Sequence, residues 1–213
     1  MQGLFQSINT EKKGVNIFGS EVHKLAGEDT QSVTMDDITL QLSPQSFFQL
    51  NIPQAKELYH MAVSKIDPCD TLVEAYCGIG AMSLMAHDKA KHIYGIESIQ
   101  DAVDNANMNA RNNNIDNAEF ICADAAEGLD KIAADTKIDT ILADPPRSGM
   151  DDAMIASILK ARPKKIIYVS CNPATLARNL KELKHKYHVV TVLPYDLFPH
   201  TPLVESITVL ERG

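Results

Sequence analysis

The sequence places Cys171 where the start of a helix could lower the pKa of its thiol and so make it a nucleophile. Cys171 follows the apolar run KIIYVS (165–170) and precedes Asn172 and Pro173, where a helix is predicted to begin. The dipole and free N–H groups at the start of a helix lower the pKa of a nearby thiol. Cys171 is therefore a candidate nucleophile; the alternative is a buried small apolar side chain, as most single cysteines are.

The cysteines do not form a metal-binding pattern. The chain has four of them, and no two have the CxxC spacing of a zinc or iron–sulfur site. A long chain with few cysteines and no signal peptide is also not typical of a disulfide-stabilised protein. We therefore predict reduced thiols, no metal ligands and no iron–sulfur cluster in this chain.

Further candidates lie at the ends of three successive predicted strands. Gly78 and Gly80 form a GxG turn after TLVEA (71–75). Glu97 ends the next strand and Asp124 ends the third. Singly, they fit a tight turn, a solvated charge and a helix cap equally well. Together, at the edge where open α/β sheets bind ligands, they predict an adenosine-bearing molecule. S-adenosylmethionine fits, because the loop lacks the Lys-Ser/Thr pair of a phosphate-binding loop.

The fourth predicted strand ends in Asp144-Pro145-Pro146-Arg147. Two prolines fix the backbone and remove two N–H donors, which leaves carbonyl oxygens to face a polar substrate. The alternative is a rigid loop that only terminates the strand. A D/N-P-P sequence at this place is typical of methyltransferases that act on planar nitrogenous rings.

A thiol beside a methyl-donor site suggests one reaction. C5 of uracil is a poor nucleophile, but a thiolate added at C6 makes the ring an enolate whose C5 attacks an electrophilic methyl group. A base must then remove the C5 proton so that the thiol is eliminated. Glu205, at the start of the last predicted strand, is the candidate base. The alternative for Glu205 is a solvent-exposed side chain.

Short apolar strands that alternate with helices must position these side chains. This rhythm predicts an α/β domain with a mostly parallel, seven-stranded sheet. Only residues 196–203 join the last two strands, too few for a helical crossover, so the last strand is predicted to be antiparallel. Residues 1–50, which include the strand-like run GVNIFG (14–19), are predicted to form a small β-rich segment. Residues 51–213 are predicted to form the catalytic domain, whose first helix has Asn51 as a candidate cap and Pro53 in its first turn. The predicted strands are 71–75, 92–96, 118–123, 138–143, 165–170, 188–195 and 204–210, and the predicted helices are 55–66, 81–88, 98–113, 151–160 and 174–185.

Composition excludes several classes of protein. The 213 residues are 45% hydrophobic and 23% charged, which is ordinary for a globular protein. No apolar run approaches the ~20 residues of a membrane helix, so we expect no membrane partner and a cytoplasmic location. A net charge of −8 argues against a chain that coats nucleic acid alone, but not against a catalytic domain that receives RNA locally.

Six segments, in order, resemble a known family. They are similar to bacterial S-adenosylmethionine-dependent RNA uracil-C5 methyltransferases, which make 5-methyluridine in 23S ribosomal RNA and transfer RNA. The resemblance covers essentially the whole chain and implies a class I, Rossmann-like methyltransferase fold. The segments are SPQSFFQLN (43–51), VEAYCGIGAMSL (73–84), GIES (95–98), ADPPRSG (143–149), YVSCNPATLARNL (168–180) and FPHTPLVES (198–206).

The resemblance implies a role for each matching residue. Cys171 matches the nucleophile, and Glu205 the base that takes the C5 proton. Residues near the cofactor or the target base follow from the remaining motifs. These are Gln49, Tyr76, Gly78, Glu97 and Asp144, and Phe47, Phe48 and Arg147 are possible RNA contacts.

The chain departs from the family pattern in two ways. Leu203 stands where members often have histidine. Members also usually carry an N-terminal RNA-binding β-barrel, and many add a four-cysteine iron–sulfur segment, so this chain is expected to be a catalytic-domain fragment.

The loop after the fourth strand contains no cysteine, which favours uridine over cytosine. We expect 23S ribosomal RNA rather than transfer RNA as substrate. The alternatives are an amino-methyltransferase and a module that binds without catalysis.

Overall fold

The computed structural model describes residues 3–9, 21–44 and 46–213. The predicted strand GVNIFG (14–19) lies outside these ranges. The strands are β1 (Gly3–Ile8), β2 (Glu21–Gly27), β3 (Gln31–Met35), β4 (Ile38–Leu42), β5 (Cys69–Ala75), β6 (Ala90–Glu97), β7 (Ala118–Cys122), β8 (Thr140–Ala143), β9 (Lys165–Ser170), β10 (Tyr187–Tyr195) and β11 (Glu205–Arg212). The helices are α1 (Ile52–Ser64), α2 (Ala81–Met85), α3 (Gln100–Asn112), α4 (Ala125–Asp135), α5 (Asp152–Ala161) and α6 (Pro173–Leu183).

A seven-stranded sheet organises residues 69–213. Its strand order is β10-β11-β9-β8-β5-β6-β7, with β5 to β9 parallel and β11 antiparallel to both of its neighbours. Along the chain, strands β5, β6 and β7 follow one another toward one edge of the sheet, and the strands from β8 onward lie toward the other edge. Ligands of such sheets bind where the strand order reverses, at the carboxyl ends of β5 and β8. The predicted α/β, Rossmann-like fold and the antiparallel last strand are confirmed.

Helices cover both faces of the sheet. Successive residues of a strand point to opposite faces. In β5, Leu72 accordingly packs in one core with α1, α2 and α3, while Val73 packs in the other with α4, α5 and α6. The sheet is therefore buried on both sides, which explains the nearly continuous apolar runs of its parallel strands.

Two local predictions need correction. No helix was predicted between β7 and β8, yet α4 occupies that connection and begins at Asp124. Asn51 stands at the N-cap position of α1, but its side chain makes no capping bond. Its Nδ2 instead donates to the Leu197 carbonyl at 3.0 Å, which ties the start of α1 to the segment before β11. Pro53 lies in the first turn of α1, as predicted.

The β3–β4 hairpin docks on the α/β domain through Asn109 of α3 and through Asn113, the C-cap residue of that helix. Asn109, which is fully buried, accepts from the Gln41 N–H at 2.7 Å and donates to the carbonyls of Gln41 and Ile79, both at 3.3 Å. Asn113 pairs in the same way with Thr39, at 2.8 and 2.9 Å. The hairpin also shares the core of α1 to α3, so the boundary at residues 50 and 51 stays a prediction.

Replacing Asn109 with alanine is expected to lower the free energy of unfolding by about 1–3 kcal/mol. The substitution leaves the outward-facing N–H and C=O of Gln41 without their side-chain partner. Urea unfolding followed by circular dichroism measures the change. The matched control is Asn107→Ala on the same helix, because within the described part of the chain the Asn107 amide bonds to the Val103 carbonyl one turn earlier and not to the hairpin. Equal stability of the two variants would contradict docking through Asn109.

Candidate active site

A cleft of about 690 Å³ opens at the carboxyl ends of the parallel strands. Its volume lies within the range of small-molecule sites, about 300–1,000 Å³. Seven of the eight predicted site residues line it, and Asp124 does not. The lining residues are Phe47, Gln49, Tyr76, Gly78, Glu97, Ser98, Asp144, Pro145, Pro146, Arg147, Cys171, Phe198, Leu203 and Glu205.

The turn after β5 brings backbone to the cleft wall. Tyr76, Gly78 and Gly80 have φ angles of 63°, 54° and 79°, so the chain reverses through left-handed conformations. A Cβ on Gly80 would lie 2.7 Å from the Phe120 ring, whereas a Cβ on Gly78 would meet nothing within 4 Å. Gly80 is thus required by packing. Gly78 leaves open space, which suits close approach of a ligand.

Glu97 is held at the end of β6 by its own hydrogen bonds. One carboxylate oxygen accepts from the Gly78 N–H at 3.1 Å, and the other accepts from the N–H groups of Ser98 and Ile99 at 2.7 and 3.0 Å. These bonds join the turn after β5 to the turn before α3. They fix the carboxylate on the cleft wall, which differs from the freely solvated charge considered above.

Asp124 serves as the N-cap of α4. Its Oδ1 accepts from the N–H groups of Ala126 and Glu127 at 3.0 and 3.4 Å. The side chain is exposed and lies beyond the cleft lining. The helix-cap alternative therefore describes the contacts seen, and a bond from Asp124 to an adenine amino group stays a prediction.

Asp144 follows β8 beside the turn after β5. Its N–H approaches the Ala75 carbonyl at 3.5 Å. Burial, together with the nearby Glu205 carboxylate, raises the pKa of the Asp144 carboxyl to about 7. A carboxyl with such a pKa exchanges a proton near neutral pH. Perturbed carboxyls of this kind are frequent in active sites.

Cys171 and Glu205 lie across from each other at the edge of the sheet. The last residue pair of the β9–β11 ladder is Ser170 with Ser206. Because the two strands are antiparallel, the next residues along the ladder are Cys171 and Glu205. Glu205 is 4% exposed and Cys171 is half-buried, and both line the cleft. The sheet thus brings together a thiol and a carboxylate that are 34 positions apart in the chain.

The electrostatic surroundings of Cys171 differ from the sequence-based prediction. Burial raises the pKa of its thiol above the ordinary value of 9.0, and the carboxylates of Glu205 and Asp144 raise it further. The first N–H groups of α6 are also partly used, because Asn172 Oδ1 accepts from the Ala174 N–H at 3.0 Å. In the protein without substrate, burial and the two carboxylates therefore outweigh the predicted lowering of the Cys171 pKa by the start of α6.

Alkylation of Cys171 by iodoacetamide is expected to accelerate with pH and to be still rising at pH 9. Only the thiolate reacts, so a raised pKa moves the onset of labelling to higher pH. Peptide-level mass spectrometry separates Cys171 from the other thiols. Glu205→Gln removes the carboxylate that raises the pKa of Cys171 more than Asp144 does, and is expected to shift the profile to lower pH. A plateau below pH 8 in the unsubstituted protein would contradict the raised pKa.

A family model places this architecture among known proteins. The model described as tRNA (uracil-5-)-methyltransferase matches residues 21–213. The chain belongs to the tRNA (uracil-5-)-methyltransferase family. Residues 21–213 include every predicted site residue and all of the seven-stranded sheet.

Relatives and a solved structure agree with this family. Proteins named "uncharacterized RNA methyltransferase" from Bacillus cereus and Halalkalibacterium halodurans are each 40% identical over 100% and 99% of this chain. The chain spans 47% of the length of both. The Pyrococcus abyssi tRNA (uracil-54, C5)-methyltransferase, solved with S-adenosyl-L-homocysteine, superposes with a TM-score of 0.81 at 29% identity. That match covers 98% of this chain and 50% of the other.

Residues of the family motif SPQSFFQLN lie partly at the cleft and partly against the core. Gln49 is 9% exposed and lines the cleft. Phe48 packs edge-on against Tyr59, with ring centroids 6.4 Å apart, whereas Phe47 is 79% exposed at the cleft. Phe47 is thus available to a nucleic acid and Phe48 is mainly structural. Leu203, the departure from the family histidine, also forms part of the cleft wall.

Two buried polar residues beneath the cleft were not predicted. Glu74 is 1% exposed in β5, and its carboxylate accepts from the Ser83 N–H at 2.7 Å. Burial raises the pKa of Glu74 to about 8. The pKa of the Tyr59 phenol is also raised, by burial and by Asp144, Glu74 and Glu205. A single acidic residue inside the apolar run TLVEA was the available signal for Glu74.

In the described ranges, no cluster of three or more His, Cys, Asp or Glu side chains has metal-binding geometry. All four cysteines are free thiols. The same ranges contain no helix with the length and apolarity needed to cross a bilayer.

Proposed function

We propose that this chain transfers a methyl group from S-adenosylmethionine to C5 of a uridine in RNA. The observation that carries the proposal is the meeting of Cys171, Glu205 and Asp144 in one cleft with the turn after β5. The donor is proposed to bind along Tyr76, Gly78 and Glu97, where the wall offers open backbone and a fixed carboxylate. When bound, S-adenosylmethionine supplies an electrophilic methyl group on a sulfonium.

The uridine is proposed to enter the cleft unstacked from its RNA. A base inside a folded RNA must be flipped out before its C5 and C6 atoms can be reached. The exposed ring of Phe47 offers a surface for base stacking, and Arg147 offers a positive charge at the cleft of a chain whose net charge is −8. Gln49, which lines the cleft, is proposed to bond to the ring or the donor.

The proposed chemistry begins with the Cys171 thiolate. It forms an S–C6 bond with uracil, and the C5=C6 electron pair becomes an enolate. C5 then forms a bond to the methyl carbon as the methyl–sulfonium bond breaks, which releases S-adenosylhomocysteine. Glu205 removes the C5 proton, the electron pair restores C5=C6, and the thiolate leaves C6. The thiolate is regenerated, and the net products are 5-methyluridine, S-adenosylhomocysteine and a proton.

RNA that contains 5-fluorouridine tests the covalent route. Fluorine at C5 cannot be removed as a proton, so the adduct should persist as a complex that resists denaturant and requires the methyl donor. An amino-methyltransferase would transfer methyl groups without such a complex, and a binding-only module would do neither. Methyl transfer to unmodified RNA without any trapped complex would therefore contradict the proposal.

The RNA class is proposed from the family resemblance. We propose 23S ribosomal RNA as substrate, with transfer RNA as the alternative that the family description and the Pyrococcus abyssi relative support. Radiolabelled methyl transfer to transcripts of each class, followed by nucleoside analysis for 5-methyluridine, distinguishes them. Because both RNA classes are cytoplasmic, we also propose that compartment for the protein.

A further inference from the structure

Several polar side chains at the start and along one side of α6 contact the backbone of the loop between β8 and α5. The motif YVSCNPATLARNL supplies the nucleophile at Cys171, which leaves its other polar residues unexplained. Asn172, Thr175 and Asn179 are spaced so that they lie on one side of the helix. The loop they face begins at Asp144.

Two of these residues approach the same carbonyl. Asn172 Nδ2 donates to the Arg147 carbonyl at 3.2 Å, and Thr175 Oγ1 lies 3.2 Å from the same oxygen and 3.1 Å from the Asn172 carbonyl, so its one hydroxyl proton is shared between the two oxygens. One residue further along the loop, the Ser148 carbonyl accepts from Arg178 Nη2 at 2.7 Å. Arg178 Nη2 also lies 3.3 Å from the Met150 carbonyl.

Asn179 completes the contact from a buried position. It is 3% exposed, accepts from the Met150 N–H at 3.0 Å and donates to the Met150 carbonyl at 2.8 Å. The Tyr168 hydroxyl donates to the same Oδ1 at 2.8 Å, so Asn179 joins β9, α6 and the loop. Both hydrogen-bonding groups of the Met150 backbone are thereby fixed.

Gly149 shows how closely the loop lies on the helix. Its φ is 77°, and a Cβ there would lie 2.7 Å from Asn179 Oδ1, 3.0 Å from Thr175 Cβ and 3.3 Å from Arg178 Nη2. Any other residue would separate the loop from α6 or displace these side chains.

We propose that Thr175, Arg178 and Asn179 are positioning residues that hold the Asp144–Arg147 segment at a fixed place relative to Cys171. The inference rests on the proposed function. The helix starts two residues after the nucleophile, and the loop carries the carboxyl and the arginine of the same cleft. A small displacement of reacting groups costs about 100-fold in rate. The contacts of Thr175, Arg178 and Asn179 with the loop between β8 and α5, here called the clamp, are therefore expected to affect the chemical step rather than RNA binding.

Two matched pairs of variants separate positioning from other roles. Thr175→Val removes the donor at nearly constant shape, and Thr175→Ser keeps it. Arg178→Ala removes the contacts to Ser148 and Met150 together with a positive charge. Lys181→Ala removes an exposed charge one turn further along α6. An RNA-phosphate role would make the two charge removals alike, and would raise KM rather than lower kcat.

The measurements are kcat and KM for RNA, formation of the 5-fluorouridine complex, affinity for S-adenosylmethionine, thermal midpoint and amide hydrogen exchange of residues 147–150. We expect Arg178→Ala to lower kcat about 100-fold and Thr175→Val about 10-fold, with KM changed less than about 3-fold. Thr175→Ser should restore kcat, Lys181→Ala should change it less than about 2-fold, and exchange of the loop should rise only in the two clamp-breaking variants.

Three results would overturn the inference. Faster loop exchange with unchanged kcat would show that the clamp does not serve catalysis. Equal losses in Arg178→Ala and Lys181→Ala, carried by KM, would assign Arg178 to RNA binding. Absence of methyl transfer and of any trapped complex in the unsubstituted protein would instead reject the proposed function, and the catalytic role of the clamp with it.

Discussion

Replacing Cys171 with alanine is expected to abolish methyl transfer while leaving the affinity for S-adenosylmethionine within about 2-fold. Without the thiolate, C5 of uracil is not activated, and we expect turnover to fall by a factor on the order of 10⁴ or more, as when other enzymes lose a covalent nucleophile. The donor contacts proposed for Tyr76, Gly78 and Glu97 are untouched. Methyl transfer to RNA and calorimetric titration with the donor measure the two effects.

Cys69 provides the matched control for this substitution. Like Cys171, it is a half-buried free thiol, but it lies at the amino end of β5, at the opposite edge of the sheet. Cys69→Ala should retain turnover and still form the 5-fluorouridine complex. Substantial methyl transfer by Cys171→Ala, with the same nucleoside product, would show that the thiol is not the nucleophile.

The Glu205→Gln variant is expected to methylate RNA and then remain attached to it. Glutamine has the shape of glutamate but cannot accept the C5 proton, so the thiolate is not expelled from C6. General-base loss costs about 10²–10⁴-fold in turnover, whereas a single methyl transfer per protein should survive. Denaturing gel electrophoresis should show a protein–RNA complex that carries the transferred methyl group.

The rate at which the protein releases RNA should depend on pH because Glu205 is buried. Burial raises the pKa of this carboxyl, and Arg147 opposes the rise. Only the ionised carboxylate accepts a proton, so release of the unsubstituted protein should slow as pH falls through this raised pKa. Glu211→Gln, the same change near the other end of β11, is the control and should release RNA normally. Normal release by Glu205→Gln would contradict the assignment of the base.

The sheet could be predicted from sequence because its strands are short apolar runs with clear interruptions. KIIYVS was predicted and observed at residues 165–170, and Glu205 begins the last strand within one residue of the prediction. Helix α4 was missed although Ala125, Leu129 and Ile132 recur at helical spacing, so the sequence carried a signal for this helix. Asp124 could be interpreted as a ligand or a cap, and only the observed N–H contacts show the cap.

The electrostatics of the site could not be predicted, since they depend on residues distant in the chain. The predicted effect of the α6 terminus on Cys171 considered local sequence alone. Its pKa is raised instead by burial and by carboxylates from two other strand ends. The contacts of α6 with the loop between β8 and α5 could not be predicted for the same reason. Asn179 bonds to Met150, which lies 29 positions earlier in the chain, and no spacing rule connects the two residues.

The position of β11 has a consequence for biosynthesis. This strand lies between β9 and β10, and within the described chain β10 pairs only with β11. Translation therefore produces β10 before the strand that can hold it, and the proposed base emerges from the ribosome later still. Until residues 205–212 have left the exit tunnel and paired with β9, the nascent polypeptide carries its thiol without the carboxylate opposite it. Under the proposed mechanism, newly made protein would therefore not complete a turnover on the RNA around it before that pairing.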